Sequence, residues 1–374
     1  NNSVAYKEKP QMGTYMREWL SLYESKSGER GIFNRQSAKA QAAKNGRRDA
    51  DHDFGCNPCS EIILRPYQFC NLSEVVVRES DTKETLTEKV RLATILGTFQ
   101  STLTDFKYLR KIWKDNTEEE RLLGVSLTGI LDNAIMSGRS AAIGKNLGAL
   151  LGDLKAVAIN SNKAMAEQLG IPQSTAITCV KPSGTVSQLV DSASGIHARH
   201  NDYYIRTVRG DNKDPLTQFM IAQGIPAEPD VMKPDSTTVF SFPMASPVSA
   251  VTRTKMTAIE QLELWLTYQR YWCEHKPSVT ISVKEEEWMD VGSWVYEHFD
   301  DVSGISFLPY SEHTYKQAPY QDCTKEEYED MLAQMPSAID WTALQEFEKE
   351  DTTSGGRELA CTAGVCEVVD LTAA

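Results

Sequence analysis

Basic charge is what this chain has too little of. Its 374 residues carry 39 lysines and arginines against 52 aspartates and glutamates, a formal net charge of -13 at pH 7. A broad nucleic-acid interface draws on clustered lysine and arginine, so this balance argues against one, while a single nucleotide held by a local loop stays open. No apolar run is long enough to cross a bilayer and no secretory leader is found, so a soluble, cytoplasmic protein without membrane contact is expected. Eight cysteines are too sparse and too unevenly spaced for a secreted disulfide scaffold, which leaves thiols free for chemistry. The Gly-x-x-x-x-Gly-Lys-Ser/Thr pattern of a P-loop NTPase is missing, as are internal repeats and extended low-complexity tracts. An initiator methionine is missing too: the chain opens on Asn1-Asn2-Ser3-Val4-Ala5-Tyr6, strand-like at once, and a missing N-terminal part is expected.

What is there alternates between strand and helix patterns, which implies an α/β architecture. The branched run after Cys70, through Val77, reads as a buried strand. Helices are predicted over about 85–113, with Leu92, Ile95, Leu96 and Phe99 at helical spacing, and over about 118–139 and 147–168. A strand at 175–180 leads into Lys181-Pro182-Ser183-Gly184-Thr185-Val186-Ser187. Further strands are predicted at 237–242, 278–283 and 304–308, and helices over about 252–274, 284–299, 324–335 and 340–348. One large domain, 1–350, is expected to precede a flexible tail, 351–374, that begins in the linker-like Thr352-Thr353-Ser354-Gly355-Gly356.

Three constellations carry chemistry. In Asn57-Pro58-Cys59-Ser60-Glu61 an amide and a carboxylate flank a thiol at minus two and plus two, and alternate residues of an extended segment share a side. Cys70 adds a second sulfur. The bland alternatives are a small buried hydrophobe, or Cys56 and Cys59 joining Cys361 and Cys366 in a four-thiolate zinc site, whose wide Cys361–Cys366 gap disfavours it. The second, Ser183 to Ser187, has the layout of a phosphate loop, strand then glycine turn then helix start, and fits an ordinary N-capped turn equally well. The third is the pair Cys361 and Cys366 behind the Gly-rich linker, two thiols on an arm able to exchange with a buried disulfide; the alternative is an inert terminus.

Taken together, and with Cys70-Asn71-Leu72-Ser73-Glu74, these motifs resemble ribonucleotide reductase in order and spacing. The segments Ala93 to Thr104, Glu120 to Ser126, Gly195 to His200 and Trp294 to Phe299 resemble the monomeric, adenosylcobalamin-dependent ribonucleoside-triphosphate reductases more specifically. The resemblance runs over essentially the whole chain and implies the later portion of a ten-stranded α/β barrel of two half-barrels with a central finger loop. It further implies a radical passed from adenosylcobalamin to Cys59, a thiyl that removes the ribose 3′ hydrogen, Glu61 as base at the 3′ hydroxyl, and Asn57 orienting the sugar. Cys70 would be one of two thiols reducing the 2′ position, Ser183, Gly184, Thr185, Val186 and Ser187 would hold the triphosphate, and Cys361 with Cys366 would relay electrons from thioredoxin or a similar dithiol. The product would be deoxyribonucleotides for DNA synthesis.

Departures from the family pattern matter. The partner thiol of Cys70 and the N-terminal specificity site are absent, so a completing N-terminal half is expected. Tyr203-Tyr204 follows the phosphate loop instead of ending the barrel, no glycyl-radical motif closes the chain, and no Asp-x-His-x-x-Gly cobalt motif occurs, as in base-on cobalamin binders. The rival readings are a catalytically inactive nucleotide-binding or assembly subunit, disfavoured by the intact Asn57, Cys59 and Glu61, and a zinc-binding module.

Overall fold

Twelve strands and eleven helices follow one another in the computed structural model, which describes residues 4–27, 31–140, 146–310 and 315–348. In chain order they are β1 (Val4–Tyr6), α1 (Met12–Ser25), β2 (Gly31–Asn34), α2 (Arg35–Ala43), β3 (Gly55–Cys56), β4 (Ile63–Leu64), β5 (Asn71–Val76), α3 (Lys83–Gln100), α4 (Lys111–Glu120) and β6 (Leu123–Thr128). Then come α5 (Leu147–Leu169), α6 (Val186–Leu189), β7 (Tyr203–Asp211), α7 (Pro215–Ala222), β8 (Ala227–Pro229), β9 (Thr237–Ala245), α8 (Ala258–Tyr271) and β10 (Thr280–Val283). The last are α9 (Trp288–Glu297), β11 (Ile305–Pro309), β12 (Tyr320–Asp322), α10 (Lys325–Gln334) and α11 (Leu344–Phe347). The chain divides into two compact units, residues 1–199 with 247–311 and residues 200–246 with 312–374. The sequence had suggested one domain over 1–350; the proposed tail, with Cys361 and Cys366, lies outside the described residues. Among the described residues no helix is long and apolar enough to cross a membrane.

In the first unit a chain of strand pairings positions the site. β5 runs parallel to β6 over its full length. The far edge of β6 takes the extended segment 176–180, with Leu123 N donating to Ala176 O at 3.0 Å and Cys179 N to Val125 O at 3.1 Å. That segment passes the ladder on, Val180 bridging Pro277 in parallel, to β10, which is parallel to β11. The direction then reverses: β11 is antiparallel to β2, and β2 is parallel to β1. A set of parallel runs therefore meets a second set of opposite sense.

Helices α3, α5 and α8 cover this ladder. Two tryptophans of the α8 region tie it down through their indole N–H groups, Trp265 to Pro277 O at 2.9 Å and Trp272 to Cys179 O at 2.8 Å. Burying a large ring while satisfying its one donor is the usual condition for a core tryptophan. Trp19 of α1 does the same to Trp288 O at 3.0 Å.

Two helix expectations need correction. The stretch 118–139 is not a helix: α4 ends at Glu120, Arg121 turns left-handed (φ 45°), and β6 follows. Every residue of β6 is buried, and a short apolar run buried on both faces lacks the period-2 alternation that marks a half-exposed strand. A Cβ on Gly124 within it would lie 2.4 Å from Leu72 and 2.9 Å from Ile62, so glycine is required by that close approach. The helix over 85–113 stops at Gln100, and its buried face is Leu86, Val90, Thr94, Gly97 and Thr98. Leu92, Leu96 and Phe99 are exposed.

In the second unit β7 and β9 form a nine-residue antiparallel ladder flanked by β12 and β8. Tyr204 is buried there against His200 and Tyr320.

Candidate functional site

The segment Asn57 to Ile62 is the loop of a hairpin whose arms are the short antiparallel strands β3 and β4. Asn57 closes it internally: its side-chain oxygen accepts from Ile62 N at 3.0 Å, and its carbonyl accepts from Ser60 N at 2.9 Å. Ser60 adopts φ 68°, a left-handed conformation that costs a non-glycine residue energy and is held by its surroundings. The holding group is Lys276, whose Nζ donates to Ser60 Oγ at 2.7 Å, while Ser278 Oγ donates to the Cys59 carbonyl at 2.5 Å. A Cβ on Gly304 would fall 2.0 Å from Lys276 Nζ and 2.8 Å from Ser60 Oγ, so this glycine makes room for the anchor. Cys59 is exposed at the turn, whereas Glu61 is completely buried.

Lys181 joins the two. Its Nζ lies 3.3 Å from Glu61 Oε1 and 3.9 Å from Cys59 Sγ. Partial burial opposes its charge, but the Glu61 carboxylate and then Cys59 outweigh that and hold the ammonium above its ordinary value. Glu61 Oε2, by contrast, is buried with no hydrogen-bond partner. Cys70 stands at the entry to β5, where burial and then the Glu61 charge push its thiol up. Further along β5, burial pushes the Glu74 carboxyl up, opposed by Ser183 and Lys181. Glu74 Oε1 and Ser183 Oγ are themselves buried without a partner of normal hydrogen-bond geometry.

The loop after Val180 is tighter than its sequence suggests. Ser183 is left-handed (φ 55°) and buried, and α6 is a single turn, so little helix dipole is available there. Ser187 is committed, its hydroxyl to Ser194 Oγ at 2.7 Å and its N–H to Ser183 O at 3.2 Å. Gly184, Thr185 and Val186 are exposed.

Sequence reasoning named Cys59, Glu61, Cys70 and the Ser183 to Ser187 loop. It did not anticipate that Lys181, Lys276 and Ser278 meet the hairpin, or that Glu74 lies within the influence of Lys181 and Glu61. The lysines come from segments more than a hundred residues away from the hairpin, and only the ladder order brings them there. A buried lysine is itself a signal of a special site, but its burial is not visible in sequence. Beneath the hairpin His275 bridges β4 to β6, accepting from Ile63 N at 3.3 Å and donating through Nε2 to Leu123 O at 2.9 Å. Burial, then Arg48, bring its pKa down to about 3, so it is a neutral strut.

Burial pulls Lys276 from an ordinary value of 10.5 down to about 8. The folded chain then binds this proton less tightly than the unfolded chain, so between those two values the unfolded state holds more protons and stability from this group rises with pH. The unfolding free energy of the wild type relative to Lys276→Met should therefore grow by about 3 kcal/mol between pH 8 and pH 10.5. Urea unfolding at both ends of that range measures it, and a pH-independent difference would remove Lys276 as a buried charge.

No family model matches the chain. Curated relatives do: the adenosylcobalamin-dependent ribonucleoside-triphosphate reductase of Euglena gracilis is 31% identical over 320 residues, covering 84% of this chain and 42% of the relative. That of Lacticaseibacillus paracasei is 27% identical over 403 residues, covering 98% and 52%. By homology the chain belongs to the adenosylcobalamin-dependent ribonucleoside-triphosphate reductase family. It spans about half the length of the curated relatives it matches. A crystal structure of a B-12 dependent (class II) ribonucleotide reductase shares its fold, with a TM-score of 0.77 and 24% identity over 94% of this chain and 52% of that one. The alpha subunit of the Actinobacillus ureae class Id reductase is more distant, with a TM-score of 0.51 and 14% identity over 80% and 62%.

Proposed function

We propose that this chain carries the radical-bearing part of a reductase that converts ribonucleoside triphosphates to 2′-deoxyribonucleoside triphosphates, completed by the part of the barrel that its relatives possess beyond it. The observation that carries the reading is the finger-loop geometry: an exposed thiol, Cys59, and a fully buried carboxylate, Glu61, on one lysine ammonium. Adenosylcobalamin, when bound, supplies the radical that takes the hydrogen atom from Cys59. The exposed sulfur meets the requirement placed on this chain, access from outside the loop.

The Cys59 thiyl removes the 3′ hydrogen of the ribose while Glu61 receives the proton of the 3′ hydroxyl. The 2′ hydroxyl then leaves as water, and two thiols, Cys70 and one from the completing part, are oxidised to a disulfide as the 2′ carbon is reduced. Asn57 serves by fixing the turn, since its oxygen is held by Ile62 N. With Ser187 committed to Ser183 and Ser194 and Ser183 itself buried, the part of the loop open to the triphosphate is Gly184, Thr185 and Val186. Burial and the Glu61 charge hold the half-buried Cys70 thiol above its ordinary value, which suits a thiol that must not form adventitious disulfides.

The tail supplies the test of turnover. Changing Cys361 and Cys366 together to serine should spare the first deoxynucleotide formed per active site, because the active-site thiols start reduced. Multiple turnover with thioredoxin as the reductant should collapse, and a small dithiol able to reach the disulfide directly should restore part of it. Rapid-quench counting of product in the two regimes decides this. Normal cycling of the double variant with thioredoxin would return both cysteines to an inert terminus.

A further inference from the structure

Lys181 is a group of this site for which the family resemblance gave no role, and its geometry is specific. Its backbone N–H donates to Ser126 Oγ of β6 at 2.8 Å, and the strand before it is pinned by the indole of Trp272 on Cys179 O, so the side chain leaves a rigid ladder toward the hairpin. It meets Glu61 through Oε1 alone, at 3.3 Å, and passes 3.9 Å from the Cys59 sulfur. Leaving Glu61 Oε2 buried without a protein partner costs on the order of 1–3 kcal/mol, a cost that a catalytic use of the atom accounts for.

We propose that Lys181 is the positioning residue of this site: by holding Glu61 at Oε1 beside the Cys59 sulfur, it leaves Oε2 as the oxygen that receives the substrate's proton. The inference rests on the reductase reading and deepens it. In the step, the O–H bond of the substrate hydroxyl breaks, its proton passes to Oε2, its electron pair stays on the substrate oxygen, and Glu61 becomes a neutral acid. Lys181 keeps its own proton and exchanges no electron. It also balances in part the charge of the second carboxylate, Glu74.

The experiment has an arm that needs no turnover. Iodoacetate and iodoacetamide alkylate the same thiolate but differ in charge, so the ratio of their rates at Cys59, resolved by peptide mass spectrometry, reports the potential at its sulfur. In Lys181→Gln that ratio should fall about 3- to 10-fold, in Lys181→Arg it should stay near wild type, and in Glu61→Gln it should rise. Cys323, in the other unit, serves as the reference thiol. A ratio at Cys59 within about 1.5-fold of wild type in Lys181→Gln overturns the placement of the charge. In the complete reductase, Lys181→Gln should lower kcat about 10- to 100-fold with KM changed less than about 3-fold, and Lys181→Arg should recover most of it. A raised KM with unchanged kcat overturns the proposal in favour of a phosphate contact. A protein without reductase activity in which the alkylation ratio still follows Lys181 overturns the functional reading, and with it the proton step, but upholds the charge arrangement.

Discussion

Cys59→Ser is expected to lower 2′ reduction by at least about a thousandfold while leaving nucleotide affinity within about 3-fold of wild type. A serine hydroxyl holds its hydrogen atom far more strongly than a thiol does, so the radical cannot be passed to it. The loss should not come from unfolding. Cys59 is exposed at the hairpin turn and is held through its backbone, its carbonyl accepting from Ser278 Oγ, and a substitution that spares buried contacts usually changes stability by about 0.5 kcal/mol or less. Urea unfolding of the two proteins therefore separates chemistry from folding. The assay requires the completed reductase with adenosylcobalamin, a ribonucleoside triphosphate and a dithiol. Turnover by Cys59→Ser at the wild-type rate would remove Cys59 from the mechanism.

The spacing of Asn57, Cys59 and Glu61 was legible because a hairpin loop keeps its chemistry within a few residues, and Cys70 was legible because the branched run after it reads as a strand. What sequence hid has a physical cause in each case. Leu123 to Thr128 is buried on both faces, and such a run has no period to distinguish strand from helix. The stripe of Leu92, Leu96 and Phe99 has helical spacing, yet α3 packs through Leu86, Val90 and the small residues Thr94, Gly97 and Thr98 instead, since close approach of α3 to β5 and β6 favours small side chains over much of that face. Asn57 carries the amide expected near a sugar, but its oxygen is taken by the turn it caps. Lys181 and Lys276 reach the hairpin through the ladder order alone, a long-range property that no local pattern encodes.

Beneath the hairpin lies a buried ion pair whose loss should cost the fold heavily. Arg48 is buried, with Nε and Nη2 each 2.9 Å from an oxygen of Glu120 and Nη1 donating to Ile63 O of β4 at 2.9 Å. Gln68 also reaches Glu120. Because the ion pair is bidentate and dry, removing one partner strands the other charge, whereas removing both does not. Arg48→Met is accordingly expected to destabilise the first unit by about 3–5 kcal/mol, and Arg48→Met with Glu120→Leu by clearly less, in urea unfolding curves of equal slope. Arg65 remains 3.9 Å from Glu120 Oε2 and compensates part of the stranded charge, which places the expectation toward the lower end of that range. The same substitution frees the β4 carbonyl that anchors the returning arm of the hairpin, so Cys59 alkylation in the single variant should lose its dependence on Lys181 before the protein unfolds. A single-variant loss below about 1 kcal/mol would show the pair to be solvated, and a double variant less stable than the single would show the attraction itself, not the stranded charge, to be what holds the hairpin down.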